Sequence, residues 1–364
     1  MNALVIFPSI RDTPNFARYA ENFSRYKRSP DIMVLDEDGK HRKAVSAQFA
    51  EYGFTPEFYG VEERREWCKN HLGLDADLLI PQRSHDELSF GLLVALTRCY
   101  DMVVFIDDDT YPSSQDFLGE HWRHLSGCES EVKVNRLGTW VNTHPYMAAR
   151  GFPYCERPGD FHFSGWRENC ASVLNMGLWQ GVPDLNAIDY LQLPVASKTP
   201  EGFNGFDQRA ITDDRINDFH LCHGNYAPIC SMNLAFKPEI IPAFYQLWEN
   251  NRYNDIFSGI FLKRITDHLG KTLSVGNPLC FHEKAPRDLF RDAELEMRSV
   301  KLNETLWQAV SKIRLTSGSW LGCYRELAEG LNAAYRESEF SDLVYVLTRK
   351  MLLWCEVCTK LGAR

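Results

Sequence analysis

No apolar run in this 364-residue chain approaches the ~20 residues that a membrane-spanning helix needs. The opening, MNALVIFPSIRD, has no basic leading stretch and only a short apolar run, so it does not read as a signal peptide. Basic charge is scarce. Forty Lys and Arg stand against 49 Asp and Glu, a net −9, which argues against general nucleic-acid binding because that needs a basic face. A local basic or metal-bearing pocket for a phosphorylated small molecule is compatible with that balance. Repeats and low-complexity tracts are missing, and so is any disulfide framework. The eleven cysteines are odd in number and irregular in spacing. The close pair Cys355 and Cys358 lies in a helical pattern, with no second pair to complete a zinc site. These residues read as reduced, mostly buried thiols of a cytoplasmic protein.

What is present is a large apolar and aromatic complement. With 22 Phe, 15 Tyr and 9 Trp, the chain is not a disordered one. Short apolar runs at Ala3–Phe7, Ile32–Leu35 and Met102–Ile106 read as buried strands, and stretches of helical length and pattern separate them. That alternation predicts an α/β fold with a mainly parallel, Rossmann-type sheet flanked by helices. In such sheets ligands bind beyond the carboxyl ends of the strands. All three runs end in polar residues: Ser9, Arg11 and Asp12; Asp36 and Asp38; Asp107 to Asp109. Residues from about 110 to 230 read as loop-rich, a binding surface built on the scaffold. Beyond them, Leu321, Tyr324, Leu327, Ala328, Leu331 and Tyr335 fall at helical spacing, and SDLVYVLTRKMLLWCEVCTKL reads as a further helix. The expected organisation is an α/β domain over 1–290 with a helical region, 291–364, packed on it.

The run MVVFIDDDTYP drives five apolar residues into three aspartates. In extended chain, residues two apart point the same way, so Asp107 and Asp109 can converge on Mg²⁺ or Mn²⁺ and leave coordination sites for a diphosphate. Asp108 then faces elsewhere. The competing reading is a solvated acidic turn. At Asp36 and Asp38, DEDGK is good turn chemistry, and the residues alone favour a tight turn.

Several stretches taken together resemble the reversibly glycosylated polypeptides, which include the UDP-arabinopyranose mutases and have a GT-A type glycosyltransferase fold. They are PSIRD, VLDEDGK, FIDDDTYP, MGLWQGVPDLNA, CSMNLAF, RYNDIFSG, DHLGK and FHEKAPRD, in family order over about residues 4–290, with a helical tail matching more loosely. The resemblance implies that Asp107 and Asp109 hold a divalent metal, commonly Mn²⁺, against the UDP diphosphate. It implies His282 as a third protein ligand, a neutral imidazole that suits Mn²⁺ better than Mg²⁺. It places Pro8, Ser9, Arg11, Asp36, Asp38 and Asp108 beside the nucleotide, with Lys284 as a phosphate contact or a surface lysine. The loop MGLWQGVPDLNA is the sugar side. There Gly177 and Gly181 let backbone approach the ligand, Trp179 stacks on sugar or sits in the core, and Asp184 binds hydroxyls or caps a turn. Asn233 is expected near the sugar. Asp255 is an acid near sugar or acceptor, or else a buried structural carboxylate.

Two departures from the plant pattern stand out: Met176 replaces a His before GLW, and Asn254 replaces an Asp in RYDD. The family's reversibly glycosylated arginine lies in an RGYPFSLREG-like stretch. RGFPYCERPG points to Arg157, while Arg167 in SGWREN keeps the spacing to GLW. The resemblance thus implies a metal-dependent enzyme that cleaves and re-forms the sugar–UDP bond. Transfer to a glycan, lipid or small acceptor is the alternative, and a non-catalytic UDP-sugar-binding partner is a third reading. Family members tend to associate with one another, so a homo-oligomer is among the implications.

Overall fold

The computed structural model describes residues 1–9, 13–82, 85–144, 147–157, 164–193, 198–199, 202–203, 218–247, 252–283 and 288–363. Its first half alternates strand and helix: β1 (Ala3–Ser9), α1 (Asn15–Arg25), β2 (Asp31–Asp36), α2 (Arg42–Ala50), β3 (Glu57–Tyr59), α3 (Val61–Leu72), α4 (Leu88–Leu96) and β4 (Met102–Ile106). There follow β5 (Thr110–Pro112), α5 (Phe117–Ser126), β6 (Cys128–Val134), β7 (Ser164–Cys170), β8 (Leu174–Gly181) and α6 (Ala187–Gln192). A small antiparallel pair, β9 (Lys198–Thr199) and β10 (Gly202–Phe203), precedes β11 (Phe219–Leu221), β12 (Asn233–Phe236), α7 (Asn254–His268) and β13 (Leu273–His282). The chain closes with α8 (Leu289–Lys312), α9 (Trp320–Ala334) and α10 (Ser341–Lys360).

The main sheet has the order β3-β2-β1-β4-β12-β8-β13-β11-β6-β7, with β5 paired to the end of β13. Strands β3, β2, β1 and β4 are parallel, and β8 is parallel to β13; β12 runs against both of its neighbours. The carboxyl ends of β1, β4, β8 and β13 therefore meet the amino end of β12 along one edge. The expected mainly parallel centre is there, with one reversed strand inside it.

Period-two alternation divides the core between the two faces. Leu4, Ile6, Val103 and Phe105 belong to one hydrophobic cluster; Ala3, Val5, Phe7, Met102, Val104 and Ile106 belong to the other. Strands covered on both faces read as unbroken apolar runs. The middle is more regular than its loop-like composition predicts. Strands β6 and β7 pair over seven residues each, but β7 is exposed along most of its length, so no apolar alternation marks it.

Helices α8 to α10 share the larger cluster with the sheet through Val310, Leu327, Leu331, Met351 and Trp354. Trp354 Nε1 donates to the Ile241 carbonyl at 3.1 Å. All eleven cysteines are free thiols, as expected from their spacing. Among the described residues no helix is long and apolar enough to cross a membrane.

Candidate active site

Three aspartates leave the end of β4 in a turn held by its backbone. Asp107 N donates to Met232 O at 3.1 Å. Its own carbonyl accepts from Thr110 Oγ1 at 2.9 Å and Asn15 Nδ2 at 3.3 Å, and the Asp108 carbonyl accepts from Thr13 Oγ1 at 2.9 Å. These bonds fix the carboxylates at one place despite their repulsion. Burial, then Asp109 and Asp108, push the Asp107 carboxyl well above its ordinary value. Such a cluster is matched by a cation.

His282 closes the same corner from the end of β13, in register with Gly181 on β8 and Thr110 on β5. Its Nδ1 lies 2.8 Å from the Val182 carbonyl, which only accepts, so Nδ1 carries the proton. The Nε2 lone pair then lies 3.7 Å from Asp109 Oδ2. Asp107, Asp109 and an oriented imidazole form a donor set that fits a divalent ion. Gly181, with φ +90°, makes the corner possible, because a Cβ there would lie 2.6 Å from His282 O.

Next to this corner lies a buried ion cluster centred on Arg150. Arg150 Nε donates to Asp184 Oδ2 at 2.6 Å, and Nη2 and Nη1 donate to the two Asp255 oxygens at 2.6 and 3.2 Å. Burial alone would pull the guanidinium pKa down, but Asp184 and Asp255 more than offset it and hold the group charged. Two short links tie the cluster to the acidic turn. Ser231 N points to Asp255 Oδ2 at 3.4 Å, and Met232, the next residue, accepts from Asp107 N. The strand end Gly181–Val182 holds His282, and Asp184 follows two residues later.

Supports behind Arg150 come from α8. Asn303 Nδ2 donates to Gly151 O at 2.8 Å, and Glu304 accepts from the amides of Tyr154 and Cys155 at 2.7 and 2.8 Å. Arg252, with a φ of +65°, aims its carbonyl at Arg150 Nη1, while its side chain is held by Glu296 and Asp292. A non-glycine residue in that region of φ marks a constrained backbone.

The other predicted site residues divide. Pro8 and Ser9 lie at the end of β1, with Ser9 buried and in register with Asp36. Asp108 is buried. Arg11 and Lys284 lie outside the described residues. At Asp36 and Asp38 the structure favours the turn. Asp36 Oδ1 accepts from Gly39 N at 2.9 Å and its Oδ2 from Arg42 Nε at 2.7 Å, while Asp38 pairs with Lys40 at 2.7 Å.

Asn233 is a correction. It is fully buried, with Oδ1 accepting from His121 Nε2 at 2.9 Å and Nδ2 donating to Leu178 O at 3.0 Å. Gly177 packs closely on Asn233, whose Nδ2 would lie 2.5 Å from an added Cβ. Trp179 is half-buried and lines a pocket with Thr143, His144, Pro183 and Asp184. Arg157 sits outside the Arg150 cluster. It pairs with Asp189 at 2.7 Å and stacks over Tyr154 at 3.6 Å. Arg167 is 71% exposed on the edge strand β7, paired with Glu129. The arginine between the carboxylates is the one that opens RGFP, and sequence reasoning passed it over. Its signal was its place at the head of the family-like stretch.

Comparison with known proteins agrees with the resemblance. "Probable UDP-arabinopyranose mutase 2" of Solanum tuberosum is 25% identical, covering 98% of this chain and 90% of that protein. "UDP-arabinopyranose mutase 1" of Arabidopsis thaliana is 28% identical, covering 98% and 92%. Among solved structures, glucosyl-3-phosphoglycerate synthase from Mycobacterium tuberculosis, in complex with Mn²⁺, UDP and phosphoglyceric acid, aligns with 84% of this chain and 78% of that one. Its TM-score is 0.42 at 12% identity, too distant to bear on residues or ligands. The family model "Reversibly glycosylated polypeptide" matches residues 75–363, and this chain belongs to that family.

Proposed function

We propose that this protein is a UDP-sugar mutase, which cleaves the bond between the anomeric carbon and UDP and re-forms it after the sugar has changed ring form. The observation that carries the reading is the adjacency of two clusters: an acidic strand end with an oriented imidazole, and an arginine held between two carboxylates. Relatives named as UDP-arabinopyranose mutases over nearly the whole chain support it.

Asp107, Asp109 and His282 would hold the divalent ion; when bound, it supplies Lewis-acid stabilisation of the diphosphate. Ser9 and Pro8 line the nucleotide side of the same edge. Arg150 faces the sugar side and takes the role of the family's modified arginine. In that role an Arg150 nitrogen bonds to the anomeric carbon as the carbon–oxygen bond to UDP breaks, and the displaced N–H proton passes to Asp255 or Asp184. The return step reverses each transfer. A guanidinium is a poor nucleophile while fully protonated, so the N–H proton has to pass to Asp255, 2.6 Å away, as the nitrogen–carbon bond forms.

The test is product analysis with Mn²⁺ and a panel of UDP-sugars, UDP-arabinopyranose included, together with the intact protein mass. A new UDP-sugar isomer without net UDP release is expected. Stoichiometric UDP release with sugar passed to an added glycan or lipid would replace the mutase reading with a transferase. No turnover and no UDP binding would remove both.

A further inference from the structure

Toward the opposite end of β13 from His282, where β11 pairs with Ser274 and Val275, three metal-binding side chains from three different elements converge. His124 lies in the last turn of α5, Cys128 begins β6 and His220 lies on β11. All three residues are buried, and their ligand atoms lie within 4.8 Å of one another. We propose that His124, Cys128 and His220 form a zinc site distinct from the acidic strand end.

The local geometry suits that ion. Cys128 Sγ lies 3.6 Å from His124 Nδ1. An ion at ordinary Zn–S and Zn–N distances from both atoms subtends roughly 110°, close to tetrahedral. His220 is buried; its ring lies against the Cys128 backbone, and its Nδ1 lies 3.1 Å from Ser172 Oγ. The hydroxyl fixes that ring from behind and leaves Nε2 for a metal.

His124 also has an outer partner. Its Nε2 lies 3.5 Å from Asp218 Oδ2 and 3.2 Å from Arg123 Nη2, and Arg123 is itself bonded to Asp218 at 2.6 Å. With no ion bound, Nε2 accepts from Arg123, which can only donate; binding through Nδ1 would turn the ring proton to Nε2, toward the Asp218 carboxylate, a partner of the kind found behind metal-bound histidines. Ser130, two residues from Cys128 on the same strand face, is buried and turns its hydroxyl to the Cys128 sulfur, a donor that would support a thiolate. One thiolate and two imidazoles select zinc over Mg²⁺ or Ca²⁺, and solvent completes the tetrahedron. The bound ion ties α5 to β6 and β11, which among the described residues meet the rest of the sheet where β11 pairs with β13.

The test uses the full-length chain under reducing conditions, stripped with a chelator and titrated with Co²⁺, then with Zn²⁺ in competition. The expected result is one equivalent showing a thiolate-to-cobalt charge-transfer band, displaced by Zn²⁺. The acidic strand end has no sulfur ligand, so the band reports this site whatever the reaction of the protein. Cys128→Ser abolishes the band, Cys355→Ser leaves it, and Asp218→Asn weakens binding by about 10–100-fold. His220→Gln, which keeps a polar group in place, also loses the band. A folded native chain that gives no band overturns the proposal, and so does a band that survives Cys128→Ser.

Discussion

At the level of single residues, the chemistry turns on one guanidinium and what surrounds it. Arg150 spans Asp184 and Asp255 with a planar fork, and the compact ammonium of lysine cannot reproduce those bonds to both acids. Arg150→Lys should cost about a hundredfold in kcat/KM, close to 2.7 kcal/mol, and abolish any sugar adduct seen by intact mass. Arg167→Ala, on an exposed edge, should leave both unchanged and shift stability by no more than about 0.5 kcal/mol. Equal losses in the two variants would remove Arg150 from its proposed role. His282→Ala should weaken Mn²⁺ binding at least roughly tenfold, read by titration in the absence of sugar. The candidate acidic turn was legible because it is local to a strand end, whereas His282 was singled out only through the family resemblance. Arg150 was not legible, because its partners stand 34 and 105 residues away and only the fold brings them to it.

The elements explain why some family-like residues are structural. Strands β1, β2 and β4 are buried on both faces and could be read directly from their apolar runs. Strand β12 is four residues long, and its reversed direction depends on neighbours far along the chain. That reversal puts Asn233 beneath the edge, in a chain of bonds that runs through His121 to Asn175 and Ser274. Gly177→Ala would drive a methyl into Asn233 and should cost about 1–3 kcal/mol by denaturant unfolding. The same network makes a pH prediction. Burial pulls the His121 imidazole down to about 4, with the Asn233 bond partly opposing it. The unfolded chain takes up that proton near pH 6.5, and the folded chain does so only near 4. The stabilisation is therefore full above pH 6.5 and is lost as pH falls toward 4. Between pH 7.5 and 4.5 the loss from this one group is about 2–3 kcal/mol. His121→Gln, which stays neutral, should flatten that part of the acid limb. An unchanged pH dependence of the urea midpoint would show that His121 titrates normally.

Across the whole molecule, the C-terminal helices bear on a site to which they contribute no reacting group. The helical pattern of α9 and α10 was visible in sequence, but their partners were not. Trp354 packs against Tyr245 with ring centroids 5.1 Å apart, and α8 holds the backbone that follows Arg150 through Asn303 and Glu304. One hydrophobic cluster runs from β1 and β4 through α7 to α10, so no apolar boundary separates the two regions. Removing the buried indole in Trp354→Ala should cost about 3–5 kcal/mol. Because the core is shared, that loss should lower the stability of the active-site region as much as that of the tail. Denaturant unfolding followed by far-UV circular dichroism and by loss of UDP-sugar turnover should give coincident transitions in the native chain, both displaced together by the substitution. If turnover instead survived while the helical signal of the tail was lost, α8 to α10 would be an appended unit. The buttressing of Arg150 by Asn303 and Glu304 would then be dispensable for catalysis.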